Sequence, residues 1–457
     1  MHATPLIRRC TVALAALAST AALGAPAAAA TPPRLTRLHA CSHQKRFSCG
    51  TLAVPLDWAG QAPGTLRLPV GVQNTGRAPR GVLLFLTGGP GQPGVRFLHV
   101  IRSVLGPALS GYRLVMIDQR GTGVGALRCP ALQAAAGASD LAVVPRATVT
   151  ACARAIGPNR RYFTTPETVR DLDALRLAVG ARRLAIDGVS YGTYVAERYA
   201  LTYPHNVARL VLDSVVPQQG VGTLLLAVFR AVPRVLGLAC AAEHCRTDPA
   251  RDLREVIRRR HDGPQLLNTI VSLTAASAPL GPLLSALRNG RVGDHRGLDS
   301  LARKVEHHSR ASADELSQGL HESTVCIDLA SPWDPATAPA SRADMLARRS
   351  ARIPATTLFP FYRVTATGNG LTRACLAWPA TTPPALPYGN PEAKLPRVPV
   401  LLLAGQLDLS TPVEWARQEE AKAPNSRLVV VPGVGHSIQT GPRAPAIRPV
   451  IGRFLRG

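Results

Sequence analysis

The sequence of 457 residues predicts an α/β fold: a mostly parallel β-sheet with helices on both faces and a mainly helical cap inserted over it. Two observations support this prediction. Continuous apolar runs alternate with segments of helical periodicity, as expected for strands that are buried on both faces of a parallel sheet. The alternation stops near Pro217 and resumes near Val398, so a long helical and irregular segment separates two parts of one sheet.

The elements are predicted from these runs and from the turn residues between them. Residues 31–40 are interpreted as a short, loose leader. Strands are predicted at Leu52–Asp57, Leu66–Val72, Gly81–Leu86, Arg113–Ile117, Leu184–Ile186, Leu210–Asp213, Val398–Ala404 and Arg427–Val431. Helices are predicted at Thr165–Val179, from Tyr191 to about Tyr203, at Val413–Ala423 and at Ala446–Leu455.

Four regions follow from this organisation. Residues 1–30 are expected to be a signal peptide, 31–216 the N-terminal part of the α/β core, 217–396 the helical cap, and 397–457 the C-terminal part of the core. The sequence leaves open whether the insertion folds as an independent domain.

The chain is strongly basic, with a formal net charge of +25, and only four of its 53 basic residues are lysines. The arginines are scattered, and the densest run, Arg258–Arg260, has no interleaved aromatic residues. A nucleic-acid partner is therefore not expected. The charge is interpreted as a solvated basic surface, with a weak secondary attraction to anionic cell-envelope polymers.

The N-terminus predicts export. Arg8 and Arg9 precede an apolar stretch, Cys10–Gly24, which is followed by the small residues Ala28–Ala30. An uncleaved anchor and a twin-arginine signal are the alternatives. After cleavage no further membrane segment is expected, and the protein is predicted to be secreted.

Eight of the nine cysteines follow the predicted cleavage site, and an even number in an exported protein predicts disulfides. Spacing alone does not give the connectivity, but pairing of sequence neighbours is the simplest: 41–49, 129–152, 240–245 and 326–375. The spacings lack the paired CxxC pattern of zinc sites, so no metal is expected.

Gly188-Val-Ser190-Tyr-Gly192 fits the G-x-S-x-G pattern, in which a nucleophilic serine stands on a tight turn between a strand and a helix. A plain glycine turn is the alternative. Here the pattern does lie between a predicted strand and a predicted helix. Ser190 is therefore the candidate nucleophile.

A serine nucleophile needs a base and an orienting carboxylate, which in this arrangement follow in the order Ser, Asp, His. Asp408 and His436 each lie in a loop after a predicted strand and satisfy this order. Asp213, which also ends a strand, is the alternative acid. The oxyanion is expected to bind the backbone N–H groups of Tyr191 and Gly89, with Gly88 as second choice.

These segments, together with Gly88-Gly-Pro-Gly91, Asp118-Gln-Arg-Gly-Thr-Gly123 and Gly433-Val-Gly-His436, resemble the proline iminopeptidase and tripeptidyl aminopeptidase family of serine exopeptidases. The secreted tripeptidyl-aminopeptidase-like branch is the most similar. The resemblance covers nearly the whole mature chain, including a distinct C-terminal segment that holds the acid and the histidine. It implies the α/β-hydrolase fold and removal of short N-terminal peptides through an acyl-enzyme, without metal or organic cofactor.

The sequence departs from this family at Thr87, where many relatives carry histidine before GGPG. The resemblance implies structural roles for Asp118 and Arg120, which are expected to pair near the site. An exopeptidase also needs a carboxylate for the substrate ammonium. Glu322 and Asp328, which closely flank Cys326, are the candidates, with ordinary surface acids as the alternative.

Three functions remain open at this point. The first is a secreted aminopeptidase with peptide substrates, the second is a carboxylesterase or other small-molecule hydrolase of the same fold, and the third is a binding protein that kept the fold. The triad acts on amides and esters alike, so it does not separate the first two. An intact triad argues against the third.

Overall fold

A computed structural model describes residues 33–42, 44, 46–387 and 389–457. The predicted signal peptide and its cleavage site lie outside these residues. Within the described ranges, no helix has the length and apolar character needed to cross a membrane.

One sheet forms the centre of the described chain. In spatial order its nine strands run β1-β2-β3-β5-β4-β6-β7-β8-β9. Strands β1, β2 and β3 are antiparallel to their neighbours, whereas β5, β4, β6, β7, β8 and β9 are parallel. The strands span Leu35–Ala40, Phe47–Pro55, Thr65–Gln73, Gly81–Leu86, Tyr112–Ile117, Leu184–Val189, Val207–Asp213, Val400–Gly405 and Ser426–Val431, numbered in chain order.

The α-helices α1 to α17 complete the described fold. They span Leu98–Leu105, Pro130–Ala136, Arg146–Ile156, Thr165–Ala178, Tyr191–Thr202, Leu226–Ala242, Pro249–Arg260, Gly263–Ala275, Gly281–Gly290, Arg296–His308, Gln318–Asp328, Pro339–Ala351, Ala355–Leu358, Arg363–Gly368, Gly370–Ala377, Val413–Lys422 and Ala444–Arg456.

Helices cover both faces of the sheet, because the buried side chains of the parallel strands point alternately to one face and to the other. Helices α4, α5 and α16 share one apolar core with the sheet. Helices α1 and α17 pack on the opposite face in a second core. Strands β4, β6 and β8 are buried almost throughout, which explains the unbroken apolar sequences of β4 and β8, whereas β6 contains the buried Asp187. The predicted α/β class with helices on both faces is confirmed.

Strands β7 and β8 are neighbours in the sheet, although ten helices, α6 to α15, lie between them in the described sequence. These helices share a third apolar core that includes Phe229 and Trp378. Helices α2 and α3 contribute Leu132 and Val149 to the same core. We therefore describe the helical layer as built from two chain segments, 130–156 and 226–377, whereas the sequence assigned only 217–396 to it.

All eight cysteines after residue 32 form disulfides, and the pairing of sequence neighbours is confirmed. Cys41–Cys49 joins β2 to the turn before it. The other three bridges lie in the helical layer, at Cys129–Cys152, Cys240–Cys245 and Cys326–Cys375.

The prediction of a loose leader at 31–40 is wrong for its second half. Leu35–Ala40 forms strand β1, which pairs antiparallel with β2 at the edge of the sheet. Most of its side chains are exposed, so the strand lacks the apolar pattern by which buried strands are recognised.

Candidate active site

The backbone between β6 and α5 turns sharply at Ser190, whose φ of 56° and ψ of −127° are unusual for a residue with a side chain. Such a conformation costs about 1–3 kcal/mol and persists where the surrounding fold enforces it. Steric clashes exclude a side chain at both flanking glycines. A Cβ on Gly188 would lie 2.5 Å from the Gly192 carbonyl oxygen, and one on Gly192 would lie 2.5 Å from that of Leu86.

Asp408 and His436 meet in the loops that follow β8 and β9. Asp408 is fully buried, and its Oδ2 lies 2.7 Å from His436 Nδ1. The other oxygen, Oδ1, accepts the N–H groups of Ser410 and Thr411 at 2.8 and 3.0 Å. These bonds fix the carboxylate so that one oxygen remains for the imidazole.

Thr411 completes this contact. Its hydroxyl lies 2.6 Å from Asp408 Oδ2 and 3.1 Å from His436 Nδ1. No role of Thr411 was predicted from the sequence. A hydroxyl three residues after a carboxylate is a common local hydrogen-bonding pattern, so the spacing of Asp408 and Thr411 carried a usable signal.

The electrostatic environment favours the protonated form of His436. Burial alone would lower the pKa of this imidazole, but the charge of Asp408 and its hydrogen bond outweigh burial and raise the pKa above its ordinary value. The carboxylates of Asp213 and Asp140 act in the same direction. The surroundings thus stabilise the imidazolium that would form when the histidine accepts a proton.

Asp213, the alternative acid, makes different contacts. Its carboxylate accepts the backbone N–H groups of Ile438 and Gln439 at 3.1 and 2.9 Å, and the Ser214 hydroxyl at 3.0 Å. Its backbone carbonyl accepts the N–H of Ser190 at 2.9 Å. Burial raises the pKa of Asp213 to about 6, although these hydrogen bonds lower it. The imidazole contact thus belongs to Asp408, whereas Asp213 joins the serine turn to the histidine loop.

The glycine loop after β4 approaches the serine closely. A Cβ on Gly88 would lie 3.0 Å from the Cβ of Ser190. The N–H of Gly88 donates to the Gln92 side chain at 3.3 Å, which leaves Gly89 as the better candidate for the oxyanion. Gly89 has a φ of 107°, a conformation that favours glycine.

A cavity of about 970 Å³ opens over this region. Gly89, Ser190 and Tyr191 line it together, beside Thr411. Most of the remaining wall is apolar. The helical layer contributes Val228, Val271, Leu301, Val305, Leu329 and Leu371, and Val221, Leu225 and Trp415 lie outside that layer. The cavity therefore lies between the sheet and the helical layer and is large enough for a short peptide.

The two candidate ammonium-binding residues lie behind this wall. Asp328 Oδ2 accepts the backbone N–H of Thr165 at 2.6 Å, at the start of α4. Glu322 is buried beside the Cys326 sulfur at 3.4 Å and beside His321. The structure does not place either carboxylate among the residues that line the cavity.

Asp118 and Arg120 contact different partners. Asp118 accepts the N–H of Val95 at 2.8 Å. Arg120 is buried and binds Asp171 through two hydrogen bonds of 2.7 Å, with Glu167 at 3.1 Å. Both contacts are consistent with structural roles, but the expected pairing of the two residues with each other is not what the structure shows.

A protein-family model for the alpha/beta hydrolase fold matches residues 81–440, which is most of the chain. The chain belongs to the α/β-hydrolase family.

Two curated relatives of this α/β-hydrolase carry activity names. A tripeptidyl aminopeptidase of Streptomyces coelicolor is 36% identical over 192 residues, covering 38% of this chain and 36% of the relative. The serine protease Hip1 of Mycobacterium tuberculosis is 28% identical over 193 residues, covering 37% of this chain and 36% of the relative. The chain thus aligns with about a third of the length of these relatives. With the family, these similarities support the serine hydrolase that the sequence predicted.

Proposed function

We propose that this α/β-hydrolase is a secreted aminopeptidase that releases short peptides or single residues from peptide N-termini. The observation that carries the proposal is that Ser190 and Thr411 line one large cavity, and that Thr411 contacts both members of the Asp408–His436 pair. The similarity to a tripeptidyl aminopeptidase supports peptides as substrates. Four disulfides support an oxidising compartment outside the cytoplasm.

In the proposed mechanism, Ser190 Oγ attacks the carbonyl carbon of the scissile bond while His436 accepts the serine proton. Asp408 holds Nδ1 protonated, so that Nε2 is the basic nitrogen, and stabilises the imidazolium. The N–H groups of Gly89 and Tyr191 bind the oxyanion. His436 then protonates the leaving amine, which departs. Water hydrolyses the acyl-enzyme with His436 again as base.

We also propose that the helical layer is a cap that limits how much of a peptide fits beside Ser190. Helix α11 of this layer is attached to the glycine loop after β4, called the oxyanion loop below, because the Ser317 N–H donates to the Gly91 carbonyl oxygen at 3.0 Å. A Cβ on Gly91 would lie 2.6 Å from the Ser317 carbonyl oxygen, so this contact needs glycine. The cap and the oxyanion loop would therefore move together.

A carboxylesterase is the second candidate. The largely apolar cavity favours it, because an acyl chain without charge would fit the same wall. A net charge of +25 also supports weak binding to anionic envelope polymers, which would keep either enzyme near the cell surface.

Hydrolysis by the purified mature protein tests the proposal. The substrates are trialanine 4-nitroanilide with a free N-terminus, its N-acetyl form, and 4-nitrophenyl butyrate; the Ser190→Ala variant is the control for background activity. Cleavage of the free-amine peptide in preference to the acetylated one is expected. Cleavage of the ester alone would reject the aminopeptidase and establish the esterase.

A further inference from the structure

A row of three charged side chains runs from the interior of the helical layer to the cavity. His321 is only 2% exposed and lies between two carboxylates: its Nε2 is 3.2 Å from Asp140 Oδ1 and its Nδ1 is 3.4 Å from Glu322 Oε1. Glu322 is buried, whereas the Asp140 side chain is 45% exposed. Both Asp140 and His321 line the cavity that holds Ser190.

Acidic groups outnumber basic groups in this row. Burial would lower the pKa of His321, but its interactions with Asp140 and Glu322 outweigh burial and raise the pKa to about 10. Two carboxyl groups thus flank one imidazole. Asp140 is the acidic member of the row that lines the cavity, whereas Glu322 does not line it.

Asp140 differs in charge from the other ionisable residues that line the Ser190 cavity. Lys304 and His308 of α10 bring basic groups to the same cavity, but Asp140 is the one carboxylate among the described lining residues. It is also close enough to His436 for its charge to raise the pKa of that imidazole. A cationic group of a substrate held at Ser190 therefore has a single acidic partner in this wall.

We infer that Asp140 binds the α-ammonium group of the substrate through Oδ2, while His321, anchored by Glu322, holds Oδ1. This inference rests on the proposed aminopeptidase function. It assigns the direct contact with the ammonium group to Asp140 and not to Glu322 or Asp328. Glu322 then acts as a positioning residue. The oriented carboxylate of Asp140 binds a free N-terminal ammonium group, but it does not bind an acetylated N-terminus.

Binding to the inactive Ser190→Ala protein tests the inference without requiring turnover. Isothermal titration calorimetry compares trialanine amide with its N-acetyl form. Because only the free amine makes the hydrogen bond between charged groups, it is expected to bind about ten- to a hundredfold more tightly than the N-acetyl form. In Ser190→Ala/Asp140→Asn this preference falls to less than about threefold, and Asp140→Glu restores part of it.

Ser190→Ala/Asp344→Asn is the matched control, because Asp344 is an exposed aspartate on α12 of the helical layer. It should keep the full preference. A preference that persists in the Asp140→Asn protein would overturn the inference, and so would its absence from Ser190→Ala itself.

Turnover of the two 4-nitroanilides by the wild-type enzyme distinguishes a failure of the Asp140 inference from a failure of the proposed aminopeptidase function. A wild-type enzyme that cleaves the free-amine peptide while binding shows no dependence on Asp140 retains its function and loses only the inference.

Discussion

The backbone carbonyl of Asp213 accepts a hydrogen bond from the N–H of Ser190 at 2.9 Å. The carboxylate of the same residue accepts the N–H groups of Ile438 and Gln439, which follow His436 in the chain. One buried aspartate therefore connects the turn of the candidate nucleophile with the loop of the candidate base. Strand β7, which ends at Asp213, is the neighbour of β6 and places it there.

Asp213→Asn should lower kcat/KM about ten- to a hundredfold, because an amide cannot accept from two backbone N–H groups through two oxygens. Removing the nearby negative charge should also move the acidic limb of the pH profile to lower pH, since Asp213 raises the pKa of His436. The kcat/KM profile from pH 5 to 9 measures both effects.

Asp57→Asn is the control for this prediction. Asp57 is also buried and accepts the N–H groups of Ala59, Gln61 and Ala62. Its replacement should lower stability without moving the pH profile. An unchanged profile in Asp213→Asn would reduce Asp213 to a structural residue.

The wild-type pH profile itself is predicted. A general base must be neutral, so activity falls when the pH drops through the pKa of His436. Because Asp408 raises that pKa above the ordinary value of 6.5, the midpoint of the acidic limb should lie above pH 6.5. Steady-state measurement of kcat/KM locates it. A midpoint well below this value would contradict the assignment of His436 as the base.

Thr411→Val should reduce kcat about tenfold, because the hydroxyl that donates to Asp408 Oδ2 is replaced by a methyl group of similar size. Thr411→Ser keeps the hydroxyl and should recover most of the activity. Single-turnover kinetics on both variants makes the comparison. Equal rates in the valine and serine variants would show that the hydrogen bond does not contribute.

The stability of the fold should also depend on pH. Glu419 of α16 is fully buried near Glu197, and burial raises the pKa of Glu419 from 4.5 to about 7. A carboxyl with a raised folded-state pKa contributes stability below pH 4.5, and this contribution is lost as the pH rises to about 7. Glu419→Gln should therefore raise the Tm at pH 8 by about 2 °C or more.

Thermal unfolding between pH 4.5 and 8 tests this prediction, with Glu306→Gln on the exposed side of α10 as the control. The wild-type Tm should fall across this range more steeply than that of Glu419→Gln. Parallel curves for the two proteins would mean that another group dominates the pH dependence.

The parts that the sequence predicted correctly are those with strong local constraints. Strands β4 and β8 are buried on both faces, so their apolar runs are unbroken. The turn at Ser190 needs glycine on both sides because backbone atoms occupy the space of a Cβ, which leaves a readable pattern. The loop with Asp408 follows the buried strand β8, and the loop with His436 follows β9, whose apolar run is only partly buried.

The parts that the sequence did not predict depend on contacts between distant residues. Asp140 lies in a segment without a predicted element, and only folding brings it to His321, which is far along the chain. Glu322 and Asp328 were proposed from their closeness to Cys326, but helical geometry directs one toward His321 and the other toward the start of α4. Local patterns do not specify which of several acids reaches a cavity.

The disulfide connectivity affects how the chain can be assembled. Each bridge joins cysteines that are consecutive in the chain, with separations of 8, 23, 5 and 49 residues. A chain that enters an oxidising compartment with its N-terminus first can therefore close every bridge before the next pair emerges. Correct pairing then follows from the order of arrival, without thiol–disulfide exchange between bridges.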